Sequence, residues 1–312
     1  MRRALFFFIF SAPLILPAQQ RDSIVDQQGR TITLSEVVIR SRMDAPGFIQ
    51  RVQLDTSFYK AFRNLRILNY TQLNDIRMFG KDGVLKASQE SATQQWAQDG
   101  CRITKLLEET HTGDFLDRKG SYNYYTAELY ASLFFSMDTV CGEHNRVGNI
   151  SHLLRGKRGL DKHKEQLKIL FFNPGADIPG IPLMGDKARL FSKDHASLYD
   201  FDIDMVDWKG STCYLFTVKA RQDLTAAQRD RIVIDQMTTY FDLRSLDVLA
   251  RSYHMSYRAG VYDFDVRFDV ELTRAGEFLV PSVIRYQGNW DVPFKMRERG
   301  VFTATFFEFS QR

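Results

Sequence analysis

The chain has 312 residues, 44% of them hydrophobic, and a formal net charge of +4. That length suits one large domain or two small ones. The near balance of charge excludes a polyanion binder, because basic residues are scattered apart from Arg155-Gly156-Lys157-Arg158 and the Lys162, Lys164, Lys168 series, so no nucleic-acid partner is expected.

Met1-Arg2-Arg3, an apolar run from Leu5 to Leu16 and a small residue at Ala18 ahead of polar Gln19-Gln20-Arg21-Asp22 predict a secretory signal peptide over 1–18. Ser11 and Pro13 break the run, which is too short for a comfortable membrane span. Cutting after Ala18 removes 18 residues and leaves 294, and losing Arg2 and Arg3 takes the charge from +4 to +2. The cysteines, Cys101, Cys141 and Cys213, are odd in number and show no paired spacing, so they imply no disulfide framework and allow at most one bridge.

A linker is expected over 19–30, then a strand from Thr31 to Ile39. Asp55-Thr56 can cap a helix through Phe58, Phe62, Leu65 and Leu68. Thr71 to Ser91 is weakly strand-like. The region from Gln94 to Cys141 is mixed, with a loop near Gly113 to Gly120, and Tyr122 to Phe135 fits strand or helix. A helix is predicted over 151–172, stopped by Asn173-Pro174-Gly175 and followed by a loop with Pro179, Gly180, Pro182 and Gly185.

From Tyr199 onward the pattern is strands and turns. Phe201 to Val206 pairs with Cys213 to Lys219 across Asp207 to Gly210, and further strands run to Phe309 through short Gly-containing turns. Pro281 inside one of them predicts an edge or a bulge. The strongest stretch is Tyr262 to Leu272, where Tyr262, Phe264, Val266, Phe268, Val270 and Leu272 alternate with Asp263, Asp265, Arg267, Asp269 and Glu271. Strand side chains alternate faces, so one face is greasy and the other wet. Tyr262, Phe264, Val266, Phe268 and Val270 form the candidate apolar-ligand face.

Leu34-Ser35-Glu36-Val37-Val38-Ile39, Phe48-Ile49-Gln50-Arg51, the 55–62 segment, Asn173-Pro174-Gly175, Tyr199-Asp200-Phe201 and Thr238-Thr239-Tyr240-Phe241 resemble a family of Bacteroidota cell-envelope proteins of unknown function. In that family the Tyr-Asp-Phe strand and those after it resemble the open half-barrel of lipoprotein-localisation carriers. The likeness spans roughly residues 34 to 309, and its motifs are structural. It implies a compartment (the periplasm or the periplasmic face of the outer membrane) and a fold, and it transfers no lipid-contacting residue.

The remaining constellations read blandly. Asp263, Asp265, Asp269 and Glu271 could serve acid–base or glycosidase chemistry. With Arg267 among them and Arg251, Arg258 and Arg285 on neighbouring strands, they read better as a charge-laddered wet face. Cys141-x-x-His144, with His152 beyond, lacks the second pair a zinc site needs. His111 and Asp114 have no nucleophile in an elbow context, and His254 reads as structural.

The expectation is therefore an α+β fold over 31–312, a curved antiparallel sheet (an open half-barrel) with helices packed on one face, its helix-containing part at 31–198 and its meander at 199–309. Function is expected to be non-enzymatic, with no cofactor or metal: an exported envelope protein holding a lipid, acyl chain or lipoprotein, with an outer-membrane or envelope protein as a further partner. The alternatives are an outer-membrane β-barrel, a structural envelope component, and a hydrolase using Asp263, Asp265 and Asp269.

Overall fold

The computed structural model describes residues 21–26, 30–41, 43–134, 138–147, 166, 169–175, 186–258, 263–291 and 297–311. The expected signal peptide, most of the helix expected over 151–172, the loop at 179–185 and Tyr262 lie outside them.

Among the described residues thirteen strands make one sheet: β1 (Arg21–Val25), β2 (Thr31–Ser35), β3 (Asn69–Phe79), β4 (Leu85–Gln98), β5 (Cys101–Gly113), β6 (Asp138–Cys141), β7 (Tyr199–Trp208), β8 (Ser211–Ala220), β9 (Ile234–Asp242), β10 (Val248–Arg258), β11 (Asp263–Ala275), β12 (Phe278–Asp291) and β13 (Glu298–Ser310). Their order is β1-β2-β7-β8-β9-β10-β11-β12-β13-β3-β4-β5-β6, a curved sheet that does not close. β7 to β13 form the expected antiparallel meander, after which the sheet continues through β3, β4 and β5. β2 on β7 is the parallel exception.

The hairpins follow turn chemistry. Asp207 pairs with Thr212 and Trp208 with Ser211, while Lys209 and Gly210 both take positive φ, as a two-residue turn matched to strand twist requires. Asp99 and Gly100 do the same between β4 and β5. Pro281 sits at a bulge: Glu271 pairs with Val283 but Leu272 with Pro281, so the interior strand β12 accommodates a residue that cannot donate to the ladder.

Among the described residues the longer helices are α1 (Glu36–Arg40), α2 (Ala45–Leu54), α3 (Ser57–Asn64) and α4 (Tyr125–Phe134), with two further single turns at Lys193–Ala196 and Ala226–Arg229. A 3-10 turn, Leu65–Ile67, leads from α3 into β3, so the helix expected through Leu68 ends early. At its start the Asp55 carboxylate accepts from the Ser57 backbone N–H (3.0 Å) and hydroxyl (2.9 Å). Residues 169–172 form another helical turn ended by Asn173-Pro174-Gly175.

Two expectations need correction, and a third region left open between strand and helix is resolved. Arg21–Val25, expected as linker, is strand β1, antiparallel to β2. The strand expected over 31–39 stops at Ser35, and Glu36–Arg40 turns helical with only Val38 buried; burying that one side chain overrides the β preference of Val37-Val38-Ile39. Tyr125–Phe134 is helix, and the region from Gln94 onward is largely the long hairpin of β4 and β5.

The concave face has two halves. From β7 to β13 it is apolar and aromatic, with Phe201, Phe216, Tyr253, Phe268, Tyr286 and Phe302 among its buried side chains. Toward β3 and β4 it turns polar: Gln72, Asn74, Gln89, Thr93 and Gln95 are all buried. These amides satisfy one another and the backbone, as burial demands. Gln72 Nε2 donates to Asn74 Oδ1 at 2.5 Å, and Gln95 Nε2 donates to the Leu65 and Leu68 carbonyls at 2.7 and 2.8 Å.

Candidate functional site

β11 has the alternation read from its sequence. Phe264, Val266, Phe268 and Val270 are each at most 2% exposed, while Asp265, Arg267 and Asp269 face solvent. The apolar side chains meet rings rather than empty space. Phe268 stacks on Phe171 (ring centroids 5.8 Å apart) and Tyr253 (5.2 Å), and Phe264 stacks on Trp290 (5.0 Å).

The roof over them is α3, α4 and the 169–172 turn, held largely by aromatic contacts. Phe62 of α3 stacks on Phe172 at 4.2 Å, and Phe134 of α4 lies 4.9 Å from Phe302 and 5.6 Å from Phe172. Two polar anchors fix it. The Glu298 carboxylate of β13 accepts the Tyr125 and Thr126 N–H groups (2.9 and 2.7 Å) and the Thr126 hydroxyl at the α4 N-terminus, and Asn64 Nδ2 donates to the Leu279 carbonyl at 2.8 Å.

Between roof and sheet, where the aromatic half meets the amide half, lies a cavity of about 170 Å³. Phe62, Phe134, Phe172, Ile284 and Phe306 supply its apolar wall. Its other wall carries Tyr70, Gln95, Ser132 and four charged side chains, Arg63, Arg66, Arg102 and Glu143. Glu143 takes Arg66 Nη1 at 3.0 Å and Arg102 Nε. The 143–146 loop that carries it is fastened by the Cys101–Cys141 disulfide between β5 and β6, the one bridge the cysteine count allowed. Cys213 is free and buried.

A larger cleft of about 540 Å³ lies where α2 and α3 meet the β9–β10 turn, lined by Phe48, Arg51, Asp55, Phe241 and Asp247 among others. It lies beside the roof rather than beneath it, so it does not reach the aromatic floor.

The other candidates separate. Cys141 is committed to the disulfide, so the Cys-x-x-His spacing offers no thiolate, and His144 instead receives Arg63 Nη2 on its carbonyl at 2.9 Å. Among the described residues no three or more His, Cys, Asp or Glu gather as metal ligands. Asp265 and Asp269 lie on the solvent face; Asp265 contacts His254 Nε2 at 2.9 Å, and Glu271 pairs with Arg285 (2.9 Å) and Lys209. Arg251, expected to offset these carboxylates, points the other way. It alternates in step with Tyr253 and Met255, so it pairs with inward-facing Val270, is buried against Phe58 (4.4 Å to the ring centroid) and donates to Thr239 Oγ1 at 3.0 Å. Burial pushes its pKa down to about 10. Two observations weigh against the barrel alternative: among the described residues the sheet ends at β1 and β6 without closing, and the outward face of β11 is charged where lipid would lie.

No family model and no curated protein matches this chain. Among solved structures it is similar to a domain assigned to outer-membrane lipoprotein sorting from Vibrio parahaemolyticus, at 7% identity and TM-score 0.27, covering 80% of this chain and 88% of that one. It is also similar to a DUF1329 family protein from Desulfovibrio piger, at 8% identity and TM-score 0.24, covering 84% and 89%. A porin from Rhodopseudomonas blastica aligns at 8% identity and TM-score 0.16, covering 77% and 99%. Scores this low do not establish a shared fold.

Proposed function

We propose that the chain is a non-enzymatic, exported envelope protein that binds an acyl chain, of a lipid or a lipoprotein, between its concave sheet and its helical roof. The observation that carries this reading is the cavity beneath that roof, walled on one side by Phe62, Phe134, Phe172, Ile284 and Phe306, of which Phe134 also stacks on Phe268 and Phe302 of the aromatic floor. The disulfide supports an oxidising compartment, and the basic, then apolar, start of the sequence supports export. A hydrophobic cavity of ~150 Å³ admits a molecule the size of benzene. At about 170 Å³ the cavity therefore takes the first part of a chain, and the rest requires Phe134 and Phe171 to leave Phe268 and Phe302. Ring contacts of this kind are worth about 1 kcal/mol each, small enough for a bound chain to replace.

The packing of Phe264, Val266, Phe268 and Val270 against the protein's own rings favours a second reading, a structural envelope component with a solid core. Native mass spectrometry and lipid analysis of protein isolated from periplasmic extract separate the two. A co-purifying lipid, or stoichiometric uptake of a fluorescent fatty acid, is expected. Repeated isolation of empty protein that takes up no acyl probe would leave the structural reading standing.

A further inference from the structure

The cations at the cavity wall outnumber the anions, and they are held in an unusual way. Three guanidinium groups (Arg63, Arg66 and Arg102) and one carboxylate (Glu143) line it. Arg66 and Arg102 share Glu143. Among the described residues Arg63 meets no carboxylate: its Nη2 donates to the His144 carbonyl at 2.9 Å and lies 3.3 Å from His144 Nδ1. It is 5% exposed, and its Nε has no hydrogen-bond partner. Lys60, one turn earlier on α3, donates to the Asn145 carbonyl at 2.5 Å. Burial, then Arg63 and Arg146, push the Lys60 pKa down, and burial pushes that of Arg66 down against the pull of Glu143.

A buried guanidinium with a free N–H carries a desolvation penalty that an anion would relieve. Arginine's planar fork suits a carboxylate or a phosphate. The same cavity is apolar on its other side, at the boundary between the aromatic and amide halves of the sheet.

We infer that the cavity takes an amphiphile with an anionic head, its carboxylate or phosphate received by Arg63, Arg66 and Arg102 and its first carbons lying on Phe62, Phe172 and Phe306. This rests on the acyl-binding reading above and narrows it: an uncharged acylglycerol is a poor ligand, while a fatty acid or a phosphate-headed lipid is a good one. Glu143 competes with the head for two of the three guanidinium groups and offsets part of their charge in the empty site.

Calorimetric titration of the full secreted chain with monomeric dodecanoate, dodecyl phosphate, dodecanol and inorganic phosphate tests this. The two charged amphiphiles are expected to bind about tenfold or more tighter than dodecanol, the scale of a charge-assisted hydrogen bond. Arg66→Gln, at a partly exposed side chain, should erase most of that preference, whereas Glu143→Gln should strengthen it. A merely structural role predicts that both weaken binding alike. Equal affinity for dodecanoate and dodecanol would overturn the anionic head while leaving acyl binding intact. Failure of every alkyl probe would overturn acyl binding itself, and inorganic phosphate binding as tightly as dodecyl phosphate would reduce the site to a free-anion site.

Discussion

Replacing Val266 by Asp places a carboxylate at the middle of the aromatic floor. Val266 is fully buried and faces Met255 on one side and Gly288 on the other. Losing its burial costs about 1.5 to 3 kcal/mol, and burying even a neutral carboxyl without a partner adds about 1 to 3 kcal/mol. The variant should therefore lose about 3 to 6 kcal/mol. The reciprocal change one residue away, Asp265→Val, removes only a half-exposed contact with His254 and should cost about 0.5 kcal/mol. Urea denaturation of both variants measures the contrast. A pH series sharpens it: burial raises the folded pKa of the new carboxyl above its unfolded value, so the Val266→Asp penalty grows as pH rises from about 4 and is smallest in acid. Equal losses for the two variants, or a Val266→Asp penalty that does not change with pH, would refute the assignment of the buried face.

Cys141→Ser opens a crosslink between residues 40 apart and should cost about 4 kcal/mol, matched by adding a reductant to the unmodified protein in a thermal melt. Arg251→Ala leaves a void and an unpaired Thr239 and should cost about 3 kcal/mol, whereas Arg251→Met, close in volume and free of charge, should cost under about 1.5 kcal/mol in the same assay. Glu298→Ala uncaps α4 and should cost about 2 kcal/mol, seen as faster hydrogen exchange at Tyr125 to Leu129.

The meander from β7 to β13 is legible in the sequence because its inward positions are apolar and its outward ones charged, as in Phe264 to Leu272. The β3–β4–β5 end is not, because buried Tyr70, Ile76, Met78 and Ala87 share their face with equally buried Gln72, Asn74, Gln89, Thr93 and Gln95, which interrupt the hydrophobic period, and β5 buries no side chain. The local signal that would have found this end is Asp99-Gly100, a two-residue hairpin turn between long runs. The candidate site escaped for a different reason. Arg63, Arg66, Arg102 and Glu143 lie up to 80 residues apart and meet only because β5 pairs with β6 and β4 with β3. Cys141-x-x-His144 points to the right loop for the wrong chemistry, since the cysteine fastens it and the residue between, Glu143, makes the contacts.

The disulfide decides how firmly the carboxylate side of the cavity is held. β6 touches the rest of the sheet through four residue pairs, one of them the bridged pair, and the loop beyond it supplies both Glu143 and the carbonyls that hold Lys60 and Arg63. While the thiols are reduced, nothing covalent keeps that loop beside α3, and of the charged wall Glu143 alone depends on it, since Arg63, Arg66 and Arg102 stand on α3, the turn after it and β5. Reduction of that one bond is therefore expected to loosen the carboxylate between Arg66 and Arg102 while leaving the guanidinium groups themselves in place.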